Sequence, residues 1–324
     1  MKVLITGAFG NLGLSTLENL LKTPHEITTL DLPSFITKKI AKKLKRKRKL
    51  ITRWGSVTDL HVVEEVVKNQ NCIIHFAGVT PPFTEKNPDL AYKINVEGTK
   101  YIIKTALAQT IPPKIIYPSS ISIYGSQPPS YENRTSQHPI NPSDVYTNNK
   151  AEAERIIIES GLPWIIFRIT AAPSISILKN DLNLLYNIPM EQKIEFVHTK
   201  DIGLAIANVV SLGISKKILL LGGGKNSQYV NREFVKKLLN VLGIGMLPEE
   251  VFKKPIKDND WYYTNWMNSE ESEELLKYQK HSFDDYLAEI KNKTKFLRLF
   301  LKMFKPIVRK VLINQSPFYK ENLK

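Results

Sequence analysis

Cysteine is nearly absent from the chain: Cys72 is the only one among 324 residues. One thiol allows no internal disulfide and no cysteine-built metal site, so a reducing cytoplasm is the expected compartment. Histidine is sparse as well. Its six copies are scattered without ligand spacing, and no metal site is expected. No stretch reaches the roughly 18 uncharged apolar residues that a membrane-spanning helix needs. The apolar run at Met1-Lys2-Val3-Leu4-Ile5-Thr6-Gly7 is too short for a secretory leader. With 15 Gly, 19 Pro, 42% apolar and 24% charged residues, the composition excludes collagen, a coiled-coil rod and a wholly disordered chain. The length suits a large α/β domain with a smaller lobe.

Positive charge is plentiful but local. The formal net charge is +15. Residues 36–53 hold ten Lys/Arg and no acid, while residues 291–324 hold ten Lys/Arg against Glu321 alone. The remaining 272 residues sum to −4, an ordinary, slightly acidic body carrying two basic appendages.

Apolar periodicity gives a strand at 2–6, a glycine-rich turn, and a helix over 14–22. A second strand at 27–32 carries Asp31 near its end. Helix 60–68, strand 71–76, a long helix 88–109, strand 114–117, helix 144–160 and strand 164–169 follow. Strands alternating with helices at this spacing predict a parallel sheet covered on both faces, an α/β doubly wound fold. After Arg168 the rhythm loosens into a mixed segment, 171–195. Beyond it come 196–200, a helix at 201–212, a strand at 217–221, a helix at 231–242 and a small helical lobe after 245. The expected division is a nucleotide-binding domain over 1–170, a substrate lobe with returning sheet elements over 171–290, and a basic amphipathic tail over 291–324.

Gly7, Gly10 and Gly13 follow a strand and open a helix, the spacing of a dinucleotide site. The first permits the tight turn, the second lets a pyrophosphate approach the backbone, and the third allows close helix–strand contact. The helix start offers free N–H groups to the phosphates. Asp31 can accept both ribose hydroxyls, and its charge repels a 2′-phosphate, which favours NAD over NADP. The cationic run from Lys38 works against that preference.

Tyr146-Thr147-Asn148-Asn149-Lys150 stacks a phenol and an ammonium on one helix face. A free tyrosine, with a pKa of about 10, is a poor base at neutral pH; a neighbouring cation stabilises its phenolate. Upstream, Ile115-Ile116-Tyr117-Pro118-Ser119-Ser120 ends a strand, and the carboxyl edge of an α/β sheet is where a site is built. Ser120 can hold the substrate oxygen whose proton Tyr146 takes. His75 and His198, both on apolar strands, read as structural.

Together these marks resemble the extended short-chain dehydrogenase/reductase family, in its nucleotide-sugar epimerase/dehydratase group. They are Gly7-Ala8-Phe9-Gly10-Asn11-Leu12-Gly13, Asp31, His75-Phe76-Ala77-Gly78, Asn95-Val96-Glu97-Gly98-Thr99, Ser119-Ser120 with Tyr124-Gly125, Tyr146 with Lys150, and Phe196-Val197-His198-Thr199-Lys200-Asp201. The resemblance runs over roughly residues 1–290. It implies a Rossmann domain, a small C-terminal substrate lobe, bound NAD and a homodimer through paired helices. Ser120, Tyr146 and Lys150 then become catalytic. Gly7, Phe9, Gly10, Asn11, Leu12, Gly13, Asp31, Ser56, Val57, Phe76, Ala77, Gly78, Asn95 and Ser119 join Tyr146 and Lys150 around the cofactor.

Two departures bear on substrate. Gly55-Ser56 replaces the family's Gly-Asp on the adenine side, and Ala171 stands where sugar-nucleotide enzymes commonly have an Asn. Only 29 residues separate Arg168 from His198, short for enclosing a nucleotide sugar. The expected activity is epimerase/dehydratase-type oxidoreduction on a sugar-nucleotide-like substrate. Two alternatives stay open: a simple NAD(P)-dependent reductase or dehydrogenase of a smaller or lipid-like carbonyl, and a non-catalytic nucleotide-binding module at a membrane surface. In the tail, Lys295, Arg298, Lys302, Lys305 and Arg309 alternate with apolar residues, and Pro306 restarts the helix. Such a helix either docks on the body or lies against an anionic lipid surface. Residues 42–49, Lys-Lys-Leu-Lys-Arg-Lys-Arg-Lys, form a solvated loop, meet the same surface, or bind nucleic acid, the last disfavoured because no aromatics interleave.

Overall fold

The carboxyl edge of a seven-stranded parallel sheet organises the molecule. The computed structural model describes residues 1–45, 50–174 and 182–324. Its strands are β1 (Lys2–Thr6), β2 (Glu26–Asp31), β3 (Leu50–Trp54), β4 (Cys72–His75), β5 (Lys114–Ser120), β6 (Trp164–Ile169), β7 (Lys193–Glu195), β8 (Lys217–Leu221) and β9 (Gln228–Val230). The sheet order is β3-β2-β1-β4-β5-β6-β8, with β7 and β9 pairing separately and antiparallel. Because β1 leads outward to β2 on one side and neighbours β4 on the other, the strand order reverses beside β1. That crevice is where such sheets take ligands.

The helices are α1 (Asn11–Leu20), α2 (Phe35–Lys45), α3 (Leu60–Val67), α4 (Phe83–Lys86), α5 (Pro88–Tyr92), α6 (Gly98–Leu107), α7 (Val145–Glu159), α8 (Leu182–Tyr186), α9 (Thr199–Val210), α10 (Asn231–Leu242), α11 (Glu270–Leu276), α12 (Phe283–Lys293), α13 (Lys295–Met303), α14 (Lys305–Gln315) and α15 (Tyr319–Asn322). The sheet's Val, Ile and Leu runs are buried on both faces. Val3, Ile5, Ile74 and Phe167 pack under α1 and α9, while Leu4, Ile73, Ile115 and Ile166 pack under α3, α6 and α7. Each such side chain withdrawn from water is worth about 1.5–3 kcal/mol. A second core, around Tyr186, Phe196, Phe252, Phe283 and Tyr286, belongs to the later lobe.

Three expectations need correction. The strand at Leu50–Trp54 has no counterpart in the sequence reading, because as the sheet's edge it leaves Ile51 and Arg53 exposed and lacks a buried run. The single helix over 88–109 is interrupted by a π turn at Lys93–Glu97, which turns Asn95 inward. The basic stretch is not a loop up to Lys45: α2 forms and buries Ala41 and Leu44, leaving its lysines in solvent. The rest of that run, residues 46–49, lies outside the described residues, as does 175–181 of the mixed segment.

Candidate active site

The glycine turn is built so that only glycine fits at two of its three positions. Gly7 has φ +65°, and a Cβ there would lie 2.8 Å from the Ala77 amide nitrogen; at Gly13 it would lie 2.2 Å from the Gly7 carbonyl oxygen. Helix α1 therefore starts tight against β1 and β4. Gly10 precedes its first residue, and no side chain caps it. The amide groups of Asn11 and Leu12 consequently point out of the helix start with the positive end of its dipole, a cradle for pyrophosphate.

Asp31, at the end of β2, closes the turn from the other side. It accepts from the Phe9 amide at 2.7 Å and from the Leu32 amide at 2.8 Å. Burial raises its pKa while these two amides hold it down. Phe9 packs 5.6 Å from Trp54, an aromatic neighbour that nothing in the local pattern announced. Ser56 bonds the Thr58 hydroxyl at 2.8 Å, and Val57 is buried against Gly98.

Along β4, the Ala77 amide donates to the Thr6 hydroxyl. Asn95 shapes the next step of that loop: its Oδ1 accepts from the Val79 amide at 2.7 Å, and its Nδ2 donates to the Val79 carbonyl at 3.0 Å. Both ends of the amide are thereby engaged in holding Phe76, Ala77 and Gly78 in position. His75 sits beneath, 2.7 Å from Thr6 Oγ1 and 3.1 Å from Thr99 Oγ1, its pKa pushed down to about 3 by burial. It is a neutral core residue. His198 caps α9 by accepting from the Lys200 amide, and burial lowers its pKa too.

Tyr146, Lys150 and Ser120 come together at the carboxyl end of β5. Asp144 caps α7 through a reciprocal bond with Thr147, and Glu85, from α4, accepts the amides of Val145 and Tyr146. The start of α7 is thus pinned twice. Burial pushes the Tyr146 phenol up to about 12, and the nearby Ser120 hydroxyl opposes that shift. One turn on, Lys150 donates to the Pro118 carbonyl at 2.8 Å and stands 4.5 Å from the centre of the Tyr117 ring. Burial pushes its ammonium down to about 8, against the pull of the Glu154 carboxylate one further turn along. Glu154 itself forms a buried ion pair with Arg168 at 2.8 Å, and Arg168 also donates to the Tyr124 hydroxyl.

Ser122, Glu85 and Glu154 escaped the sequence reading. Glu154 had a signal, four residues beyond Lys150 on the same face. Ser122, 2.7 Å from Ser120, had only its spacing of two. Glu85 had none, since 60 residues separate it from α7. The Ser119 hydroxyl is buried without a hydrogen-bond partner among the described residues. A shallow depression of about 620 Å³ lies at the opposite, amino edge of the sheet, between Lys68–Asn71 and Lys104–Ile111, away from all these groups.

Residues 4–162 match the 3-beta hydroxysteroid dehydrogenase/isomerase family. The structure superposes on dTDP-glucose 4,6-dehydratase of Streptomyces venezuelae, solved with NAD, with TM-score 0.76 and 22% identity, covering 93% of this chain and 98% of that one. These matches lie among the extended short-chain dehydrogenases/reductases, the family that the sequence motifs resemble. Within it, UDP-glucuronic acid 4-epimerase of Bacillus cereus, solved with UDP-glucuronic acid and NAD, gives TM-score 0.74 at 18% identity over 92% of this chain and all of that one. In sequence, 3 beta-hydroxysteroid dehydrogenase type 7 of Mus musculus is 28% identical over 174 residues, 50% of this chain and 47% of that protein. The chain spans about half the length of the curated relatives it matches. The family's Rossmann sheet, and its glycine turn after the first strand, are those described above.

Proposed function

We propose that the protein is a NAD-dependent oxidoreductase of the epimerase/dehydratase type, acting on a hydroxyl or carbonyl carbon of a sugar-nucleotide-like substrate. The observation that carries this reading is the Ser120–Tyr146–Lys150 set standing at the sheet edge beside the Gly7–Gly13 turn. Residues 1–170 hold the cofactor in this account, and the lobe over 171–290 covers the substrate. The homodimer implied by the family resemblance belongs to the same proposal.

The cradle fits NAD. The uncapped α1 start takes the pyrophosphate, Asp31 accepts from the adenosine ribose, and its carboxylate repels a 2′-phosphate. Ser56 and Val57 border the adenine, and Phe76, Ala77, Gly78 and Ser119 form the wall toward the nicotinamide. Bound there, NAD supplies the hydride acceptor and returns the hydride. Lys150, held by the Pro118 carbonyl, would bind the nicotinamide ribose and lend positive charge to the phenol. Ser120 bonds the substrate oxygen while Tyr146 removes its proton during oxidation and gives it back during reduction. A phenol held near 12 is a ready donor; as a base it depends on the neighbouring cations.

A second reading, a simple dehydrogenase of a smaller, apolar carbonyl compound, is favoured by one observation. Ala171 and Ala172 follow β6 where a polar substrate contact would be expected, and Ala171 bridges to Phe196. A panel of nucleotide sugars and hydroxysteroids, assayed by product chromatography with and without added NAD, separates the two. Turnover of a nucleotide sugar without added NAD supports the first; NAD-dependent oxidation of a sterol alone supports the second. No turnover of either by protein that retains NAD would remove both substrate classes.

A further inference from the structure

The tail meets the body with one side only. Arg298 donates to the Val241 carbonyl in the last turn of α10, and Arg309 donates to the carbonyls of Ile244, Gly245 and Met246 in the loop that follows it. Leu312 is buried, and its carbonyl accepts from Tyr186; Ser316 donates to the Val251 carbonyl. Leu301 and Val308 pack on the same core. Residues 305–315 are thereby anchored.

The other side is left apolar. Phe296 is 91% exposed, Leu299 68%, Met303 67% and Ile307 62%, with Phe300 exposed beside them. On α13 these recur at three- and four-residue intervals, opposite Leu301, so the arc facing away from the protein is hydrocarbon. Lys295, Lys302, Lys305 and Lys310 are exposed, Lys302 with its stem lying over Gly243 and Lys305 with its ammonium beside Gly245 at the edge of the contact, and none forms an ion pair with any described residue. Residues 290–320 contain no acid.

We propose that α13 and the start of α14 are a docking surface for an anionic lipid bilayer, into whose headgroup layer Phe296, Leu299, Phe300 and Met303 insert while the lysines meet lipid phosphates. Charge decides this over a second copy of the chain. Two such faces pressed together would bring the four lysines against their equals, whereas an anionic surface turns each into an attraction. The apolar arc is convex and bears no polar group that would set a register, as insertion among acyl chains requires. The inference stands apart from the enzymatic reading and uses none of its residues.

Cosedimentation of the full chain with phosphatidylcholine vesicles, with and without phosphatidylserine, tests it. The wild type should pellet with the phosphatidylserine vesicles, less so as salt rises, and remain in the supernatant with phosphatidylcholine alone. Phe296→Ser/Leu299→Ser/Phe300→Ser and, separately, Lys295→Glu/Lys302→Glu/Lys305→Glu/Lys310→Glu should each weaken partitioning by at least about tenfold. Thermal melts of the serine variant should match the wild type, since Phe296, Leu299 and Phe300 are exposed. A wild type that stays in the supernatant at low salt overturns the proposal. Binding that survives the serine variant also overturns it. So does light scattering that shows a wild-type dimer made monomeric by the serine variant with no vesicle binding, which would assign the face to a second copy.

Discussion

The sheet edge and the later lobe are held together by opposite means. Around Gly7–Gly13 the chain offers backbone: amides at a helix start, a turn that admits no Cβ, and one carboxylate, Asp31, at a fixed distance along the chain. In the lobe the polar groups are side chains gathered from afar. Gln192 alone donates to the carbonyls of Gln127 and Thr264 and accepts from the Tyr262 amide. A site made of backbone geometry leaves a spacing in the sequence; a site made of distant side chains leaves none.

Substitutions can break or sharpen that contrast. The largest effect is expected at Tyr146→Phe, which removes the proton carrier and should cut turnover by about 10²–10⁴-fold. NAD affinity, read by fluorescence titration, should stay within a few-fold. Next comes Glu154→Leu. Its partner Arg168 would be left buried and unpaired, a cost of about 3–5 kcal/mol in chemical denaturation. In Glu154→Gln, the loss of its charge should also move the upper limb of the pH–rate profile below the value of about 8 held by Lys150.

Gln192→Leu probes the lobe. It strands buried carbonyls and an amide, so stability should fall by about 2–3 kcal/mol. NAD retention should stay unchanged, since none of these bonds touches the Gly7–Gly13 turn. Should NAD be lost as well, the two regions are not separable in function.

A purely pH-dependent effect concerns His75, which stays neutral in the fold down to about pH 3. An unfolded chain binds a proton there below about 6.5. Stability should therefore fall by about 1.4 kcal/mol for each pH unit below that value until the folded pKa is reached. Thermal melts of His75→Asn between pH 6.5 and 4 should lose that part of the slope.

The same contrast explains what could be read in advance. Gly7, Asp31, Tyr146 and Lys150 each sit at a spacing that a helix or a strand–turn–helix imposes, so their placement follows from local geometry. The sheet was legible where strands are buried on both faces and illegible at β3, whose edge position lets Ile51 and Arg53 face water. The π turn at Lys93–Glu97 hides inside an unbroken helical pattern, so the engagement of the Asn95 amide with Val79 could not be read from it. Glu85 and Gln192 act across 60 residues or more, through folding that no periodicity records. In the tail, the pattern of lysines and apolar residues was plain, but which side faces the body depends on Arg298 and Arg309 finding the carbonyls in the last turn of α10 and in the loop that follows it.

The central claim is that this crevice holds NAD and keeps it through a reaction centred on Tyr146. Mass spectrometry of nucleotide released by denaturing the purified protein tests it most directly. Near-stoichiometric NAD or NADH is the expected result, with no NADP, because the Asp31 carboxylate would repel a 2′-phosphate. NADP(H) in its place, or no nucleotide from protein that also fails to bind added NAD, would contradict the account.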